Sequence, residues 1–176
     1  MDIKKIPTGK NPPDEINVII EIPQGSSLKY EHDKDSGAIF VDRYLSTPMH
    51  YPCDYGYIPH TLSDDGDPCD VLVVSPQPIM PGCVIACRPV GVLKMKDEKG
   101  GDEKIVAVPI DKLTKLYANV KSHTDLPQPL CEQIDHFFRR YKDLEKGKFV
   151  EVLGWGDAEE AKSMIRAAIQ RVAKAA

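Results

Sequence analysis

The sequence has no apolar run near the ~18 residues that a membrane-spanning helix needs. Its first residues also lack the apolar core of a signal peptide. A cytoplasmic protein with no membrane partner is therefore expected. A basic excess is missing too: the net charge is −4 and the pI is near 5.7. General nucleic-acid binding wants a basic face, so this balance argues against a nucleic-acid partner. Cysteines are few and odd in number, and Cys53, Cys69, Cys83, Cys87 and Cys131 match no disulfide framework. Cys83 and Cys87 share one face of a possible strand, but no further soft or imidazole ligand is spaced to complete a zinc site. Reduced, mostly buried thiols are expected. Internal repeats and low-complexity tracts are absent as well.

What is present suits an ordinary globular chain. The 176 residues are 41% hydrophobic and 28% charged, enough for one domain, 1–176, with a sizeable core. Fifteen prolines and twelve glycines imply many turns and a β-rich first part. The chain is organised around Asp64-Asp65-Gly66-Asp67-Pro68-Cys69-Asp70, which packs four carboxylates into seven residues. Gly66 and Pro68 force a tight turn, and a short buried strand, 71–74, follows at once. Acidic side chains aimed into one small volume repel, and one or more would take up a proton unless a cation intervenes. The donors are all oxygen, so a hard divalent ion (Mg²⁺, Mn²⁺ or Ca²⁺) is implied. An EF-hand is excluded, because that loop needs a Glu at its twelfth position and no Glu lies between Glu31 and Glu98. A solvated acidic loop is the plain alternative.

Periodicity places the other elements. Residues 1–15 read as an irregular lead-in. Strands are expected over 17–22, 38–44, 83–93, 105–109 and 149–153. Glu21 interrupts the first of these, where a carboxylate must be paired, face a polar cavity or sit at an edge facing water. Lys29 and Glu31 fall on one face of an extended segment. Residues 48–59 hold three prolines and three tyrosines, an extended stretch with hydroxyls aimed at something polar. The Gly100-Gly101 turn brings Asp97 and Asp102 together between two strands. Apolar residues at helical spacing predict an amphipathic helix over 129–145, with Tyr141 and Lys142 in its last turn. A second helix is expected to run from an Asp157 N-cap to about residue 173.

These residues resemble the soluble inorganic pyrophosphatases of family I. The resemblance is carried by Glu21-Ile22-Pro23, Lys29-Tyr30-Glu31, Val41-Asp42-Arg43, Asp54-Tyr55-Gly56-Tyr57 and, above all, Asp65-Gly66-Asp67-Pro68-Cys69-Asp70. Lys94 through Lys104 and His136-Phe137-Phe138 with Tyr141 through Gly147 extend it over nearly the whole chain. Asp54 stands where bacterial members often have Asn, and could add negative charge near the site. Cys69 stands where Val is common, and is expected to point away from the metals.

The resemblance implies a mainly β (α+β) fold, an OB-like five-stranded β-barrel with two main helices packed outside. It also implies a homo-oligomer, usually a hexamer, that hydrolyses inorganic pyrophosphate with several Mg²⁺ ions. By resemblance, Asp65, Asp70 and Asp102 bind metal, with Asp70 bridging to a second ion. Asp97 and Asp102 hold a further ion, with Glu21 nearby and Glu31 and Asp42 as outer ligands. Asp67 is the general base. Lys29, Arg43, Lys104 and Lys142 grip phosphate oxygens, while Tyr55 and Tyr141 donate hydroxyls. Elementary chemistry agrees with such a set. Two metals sharing one water lower its pKa to about 7 or below, and the resulting hydroxide can attack a heavily screened phosphorus in line with the leaving phosphate. Hydrolysis of an organic diphosphate and single-strand binding through a barrel groove are the competing readings.

Overall fold

The computed structural model describes residues 3–33 and 35–175. Met1 and Asp2, which open the expected lead-in, lie outside the described residues. The remainder of that lead-in holds one 3₁₀ turn, Ile3–Lys5, and a bridge between Asn11 and Glu15.

Among the described residues the strands are β1 (Ile16–Ile22), β2 (Leu28–His32), β3 (Ile39–Tyr44), β4 (Asp54–Tyr57), β5 (Asp70–Val73), β6 (Val84–Asp97), β7 (Gly100–Gly101), β8 (Lys104–Pro109) and β9 (Val150–Gly156). Two α-helices complete the fold, α1 (Gln128–Arg140) and α2 (Ala158–Ala175). Sheet order runs β1-β4-β5-β8-β6, and β6 pairs back onto β1. Five strands thus close into a ring, which removes most free edges. Strand β6 is the hub. It pairs with β1 near its start, with β8 along its middle and with β9 at its end. Strands β2 and β3 form a separate two-stranded hairpin.

The core follows from period-two alternation. Val71, Val73, Ile105 and Ala107 pack in one buried cluster with Ala161, Ile165 and Ala168 of α2. Leu72, Val106 and Val108 pack in another with Ile134, Phe137 and Phe138 of α1. Strands β5 and β8, paired in parallel, are therefore covered on both faces. That is why they read as continuous apolar runs in the sequence. Asp157 does cap α2, its carboxylate accepting from the Glu160 N–H at 2.8 Å. All five cysteines are free; Cys87 is buried and Cys83 exposed.

Three elements depart from expectation. The 48–59 stretch contains a true strand, β4, whose composition of Asp, Tyr and Gly hides it. Gly56 is required there, because a Cβ would lie 2.0 Å from the Ile19 carbonyl oxygen. Strand β6 continues past Leu93 to Asp97, since β7 and β9 flank its polar end. Helix α1 stops at Arg140 rather than Glu145. The chain then tightens into three-residue turns, Asp143 N–H to Arg140 O (3.0 Å) and Glu145 N–H to Lys142 O (2.8 Å), and leaves at Gly147 with φ +79.

Candidate active site

Strand ends and loops meet at one mouth of the ring, around a cavity of about 360 Å³. The acidic turn supplies one wall. Gly66 sits at φ +91, which lets the turn reverse. The Asp67 N–H donates to Asp65 Oδ1 at 3.0 Å, and the Ser63 N–H to the Asp67 carbonyl at 2.7 Å. Asp65, Asp67 and Asp70 line the cavity. Asp64 does not; it points outward to Arg171. Burial, with Asp67, Asp70 and Asp102 adding to it, pushes the Asp65 carboxyl above the ordinary carboxylate range despite the Asp67 N–H.

The ring delivers the rest. A register shift between Ile20 and Ile22 marks a bulge at Glu21, so both isoleucines stay buried while Glu21 turns to the cavity. This explains a carboxylate inside an apolar strand. Glu21 accepts from the His32 N–H at 2.8 Å, yet burial still raises its pKa to about 7. Tyr55 comes from β4, Asp97 from the end of β6, and Asp102 and Lys104 from the return into β8. In the parallel β5–β8 register Asp70 lies opposite Lys104.

Cations interleave with these acids. Lys104 Nζ lies 2.6 Å from Asp70 Oδ2 and also bonds Asp102 Oδ1. Burial pulls its pKa down, but the two carboxylates outweigh burial and hold it above the ordinary value. Lys142 Nζ pairs with Asp97 Oδ2 at 2.8 Å. Burial opposes ionisation of Asp97, and the bonds from Lys142 and the Lys99 N–H more than offset it, so its pKa is lowered. From the β2–β3 hairpin come Lys29 and Arg43, facing each other in register, with Glu31 and Asp42 beside Lys29. Arg43 Nε is buried without a hydrogen-bond acceptor; Asp42 Oδ2 lies 3.8 Å away. A buried, unused guanidinium N–H suits an incoming phosphate oxygen. Tyr55 and Tyr141 are buried at the rim, and burial raises both phenols well above their ordinary pKa.

Every site residue expected from the sequence lines this one cavity. The sequence reading missed Glu98 and Lys148, which pair across the entrance, and Tyr57 and His32, whose side chains meet at 3.2 Å. The charge run 94–104 was the available signal for Glu98. Asp54 proves unrelated to the cavity. It is fully buried and accepts from the Gln24 and Ile79 N–H groups and the Ser75 hydroxyl, so it ties two loops together. Cys69 packs toward α2, away from the site, as expected.

Nine carboxylates and six Lys or Arg side chains line the cavity. All-oxygen donors in acidic surplus fit a hard divalent cation. Among the described residues, however, no three His, Cys, Asp or Glu side chains form a finished ligand shell. The ammonium groups of Lys104 and Lys142 bind the carboxylates instead.

The comparisons agree with this arrangement. A family model described as inorganic pyrophosphatase matches residues 18–173. An inorganic pyrophosphatase of Caulobacter vibrioides is 59% identical over 97% of both chains, and one of Pseudomonas aeruginosa is 59% identical over 96% of this chain and 97% of its own. The crystal structure of the Thermus thermophilus inorganic pyrophosphatase superposes with a TM-score of 0.93 at 44% identity, covering 98% of this chain and 99% of that one. Matched end to end in sequence and in backbone, and carrying the acidic turn and its cationic counterparts at one mouth of a closed ring, the chain belongs to the inorganic pyrophosphatase family.

Proposed function

We propose that the cavity is the catalytic centre of this pyrophosphate hydrolase, that its resident ion is Mg²⁺, and that Asp67 is its general base. The observation that carries the reading is the interleaving of nine carboxylates with six cations in one cavity. A plain anion-binding site would not carry an acidic surplus, and a plain cation site has no use for the Lys and Arg residues.

Asp65, Asp70 and Asp102 would hold Mg²⁺, with Asp97 and Glu21 toward a further ion and Glu31 and Asp42 at its periphery. When bound, several Mg²⁺ ions neutralise the diphosphate and acidify the water that attacks it. The chain's own residues do the remainder. Lys29 and Arg43, on the hairpin, bind phosphate oxygens from one side. Lys104 and Lys142 bind them from the other, exchanging a carboxylate partner for a phosphate as charge rearranges. The phenols of Tyr55 and Tyr141, kept protonated by burial, donate hydrogen bonds without adding negative charge. Asp67, at the exposed tip of the turn, takes the proton of the attacking water.

We further propose a cytoplasmic homo-oligomer, a hexamer as the family resemblance implies. Five free thiols suit a reducing compartment. No helix among the described residues is long and apolar enough to cross a membrane.

The test is phosphate release from pyrophosphate with Mg²⁺ or with EDTA, wild type beside Asp67→Asn, and ATP in parallel. Release should need Mg²⁺, be weak on ATP and fall by about 10²- to 10⁴-fold in the variant, the range for loss of a general base. Undiminished release in the variant removes Asp67 from its role. No release from folded, Mg²⁺-loaded protein overturns the whole reading.

A further inference from the structure

The acidic turn is fastened to the rest of the molecule on its outer side by α2. Arg171 of that helix reaches back over 100 residues of sequence with both guanidinium nitrogens. Nη1 donates to the Leu62 carbonyl at 3.2 Å, and Nη2 lies 2.5 Å from Asp64 Oδ1. One turn earlier on the helix, the Ala168 carbonyl accepts from the Leu62 N–H at 3.1 Å. Beside these bonds opens a cavity of about 210 Å³, lined by Ser63, Asp64 and Cys69 of the turn and by Met164, Ala167 and Arg171 of α2. Cys69, at the far end of the turn, packs against α2; the near end is tied to the helix by the polar bonds. They grip Leu62 and Asp64, immediately before the carboxylate of Asp65.

We propose that Arg171 is a positioning residue for the metal-binding turn: its two-pronged clamp on Leu62 and Asp64 sets where Asp65 and Asp67 stand. This rests on the assignment of Mg²⁺ to Asp65, Asp70 and Asp102. Arg171 touches neither metal ligand nor substrate. Its side chain is 39% exposed and that of Asp64 is 75% exposed, so the pair adds little to global stability. Its effect falls on the turn, whose carboxylates must be held in place before an ion arrives, because a ligand set ordered only on binding gives up affinity.

The experiment is calorimetric titration of substrate-free protein with MgCl₂. Wild type is compared with Arg171→Met, Arg171→Lys, Asp64→Asn and the Arg171→Met/Asp64→Asn double variant, with thermal melts in EDTA beside them. Arg171→Met should raise the Mg²⁺ Kd by about 10-fold, the low end of what outer-shell partners contribute. Its kcat should recover at saturating Mg²⁺, and its Tm in EDTA should move by no more than about 4 °C. Arg171→Lys, which can engage only one partner at a time, should lie between. The double variant should bind no worse than Arg171→Met, because the two changes break one contact. A lowered melt with unchanged Mg²⁺ affinity reduces Arg171 to an ordinary structural residue and overturns the proposal. Wild-type affinity in every variant overturns it too, while leaving the metal site in place. A wild type that takes up no Mg²⁺ overturns the metal assignment itself.

Discussion

Glu21 shows how much a single residue can say once its surroundings are known. A glutamate in an apolar strand was legible in the sequence, but whether it faced water or a cavity depended on a bulge that has no sequence signature. The bulge sends it inward, and burial raises its pKa from 4.5 to about 7. A carboxyl whose folded-state pKa lies above its unfolded value binds its proton more tightly when folded. Its contribution is therefore fully present below pH 4.5 and is lost as pH rises through 7. The shift corresponds to about 3 kcal/mol between the two limits. In EDTA, wild-type stability should thus fall between pH 5 and pH 8 by a few kcal/mol more than that of Glu21→Gln, whose side chain does not titrate. Tm against pH for the two proteins reads this directly, and parallel curves would show that Glu21 is solvated after all. Asp54 gives the opposite lesson. Its charge suggested a place near the site, and only its three buried hydrogen bonds reveal a loop anchor.

Elements with clear apolar patterning were legible: β1, the continuous runs of β5 and β8, and α2 lie within a few residues of their expected spans, as does the start of α1. Those that failed did so for stated physical reasons. Strand β4 is built of Tyr and Gly because it must pass close to β1 while offering Tyr55 to the cavity. The tail of the expected first helix keeps apolar spacing but runs as tight turns. That tail matters, because Tyr141 and Lys142 sit at the point where α1 ends. Phe138 fixes this point. It is 1% exposed, and its ring meets Phe137 at 5.1 Å and Tyr141 at 5.5 Å, both edge to face. Phe138→Ala should cost about 3–5 kcal/mol, as large-to-small changes in a packed core do. It should also weaken pyrophosphate binding, because Tyr141 loses one of the two rings packed against it. A melt in Mg²⁺ and EDTA beside a KM measurement tests both halves. An unchanged melt would contradict the packing, and an unchanged KM would detach Tyr141 from substrate.

For the whole molecule, charge and exposed apolar surface point in different directions. The acidic balance of the chain is concentrated in the cavity and was readable as metal chemistry; the surface that copies of the chain would share was not, because an exposed apolar residue looks like a core residue in the sequence. Isolated exposed apolar side chains are ordinary. Three of them, Phe40, Val41 and Tyr44, however, stand on one strand at 56%, 53% and 75% exposure. That strand belongs to the β2–β3 hairpin, which among the described residues shares no backbone ladder with the ring. A lone two-stranded hairpin is marginal in water, yet this one carries Lys29, Glu31, Asp42 and Arg43 to the cavity. A neighbouring copy covering Val41 and Tyr44 would bury apolar surface and stiffen the arm that lines the cavity. Assembly and substrate affinity are then coupled. Val41→Lys with Tyr44→Lys should shift the mass seen by light scattering toward smaller species and raise KM for pyrophosphate several-fold, with the ring core melting nearly as before. A variant that keeps both wild-type mass and wild-type KM would place the shared surface elsewhere. A wild type that is already monomeric would remove the oligomer and its coupling together.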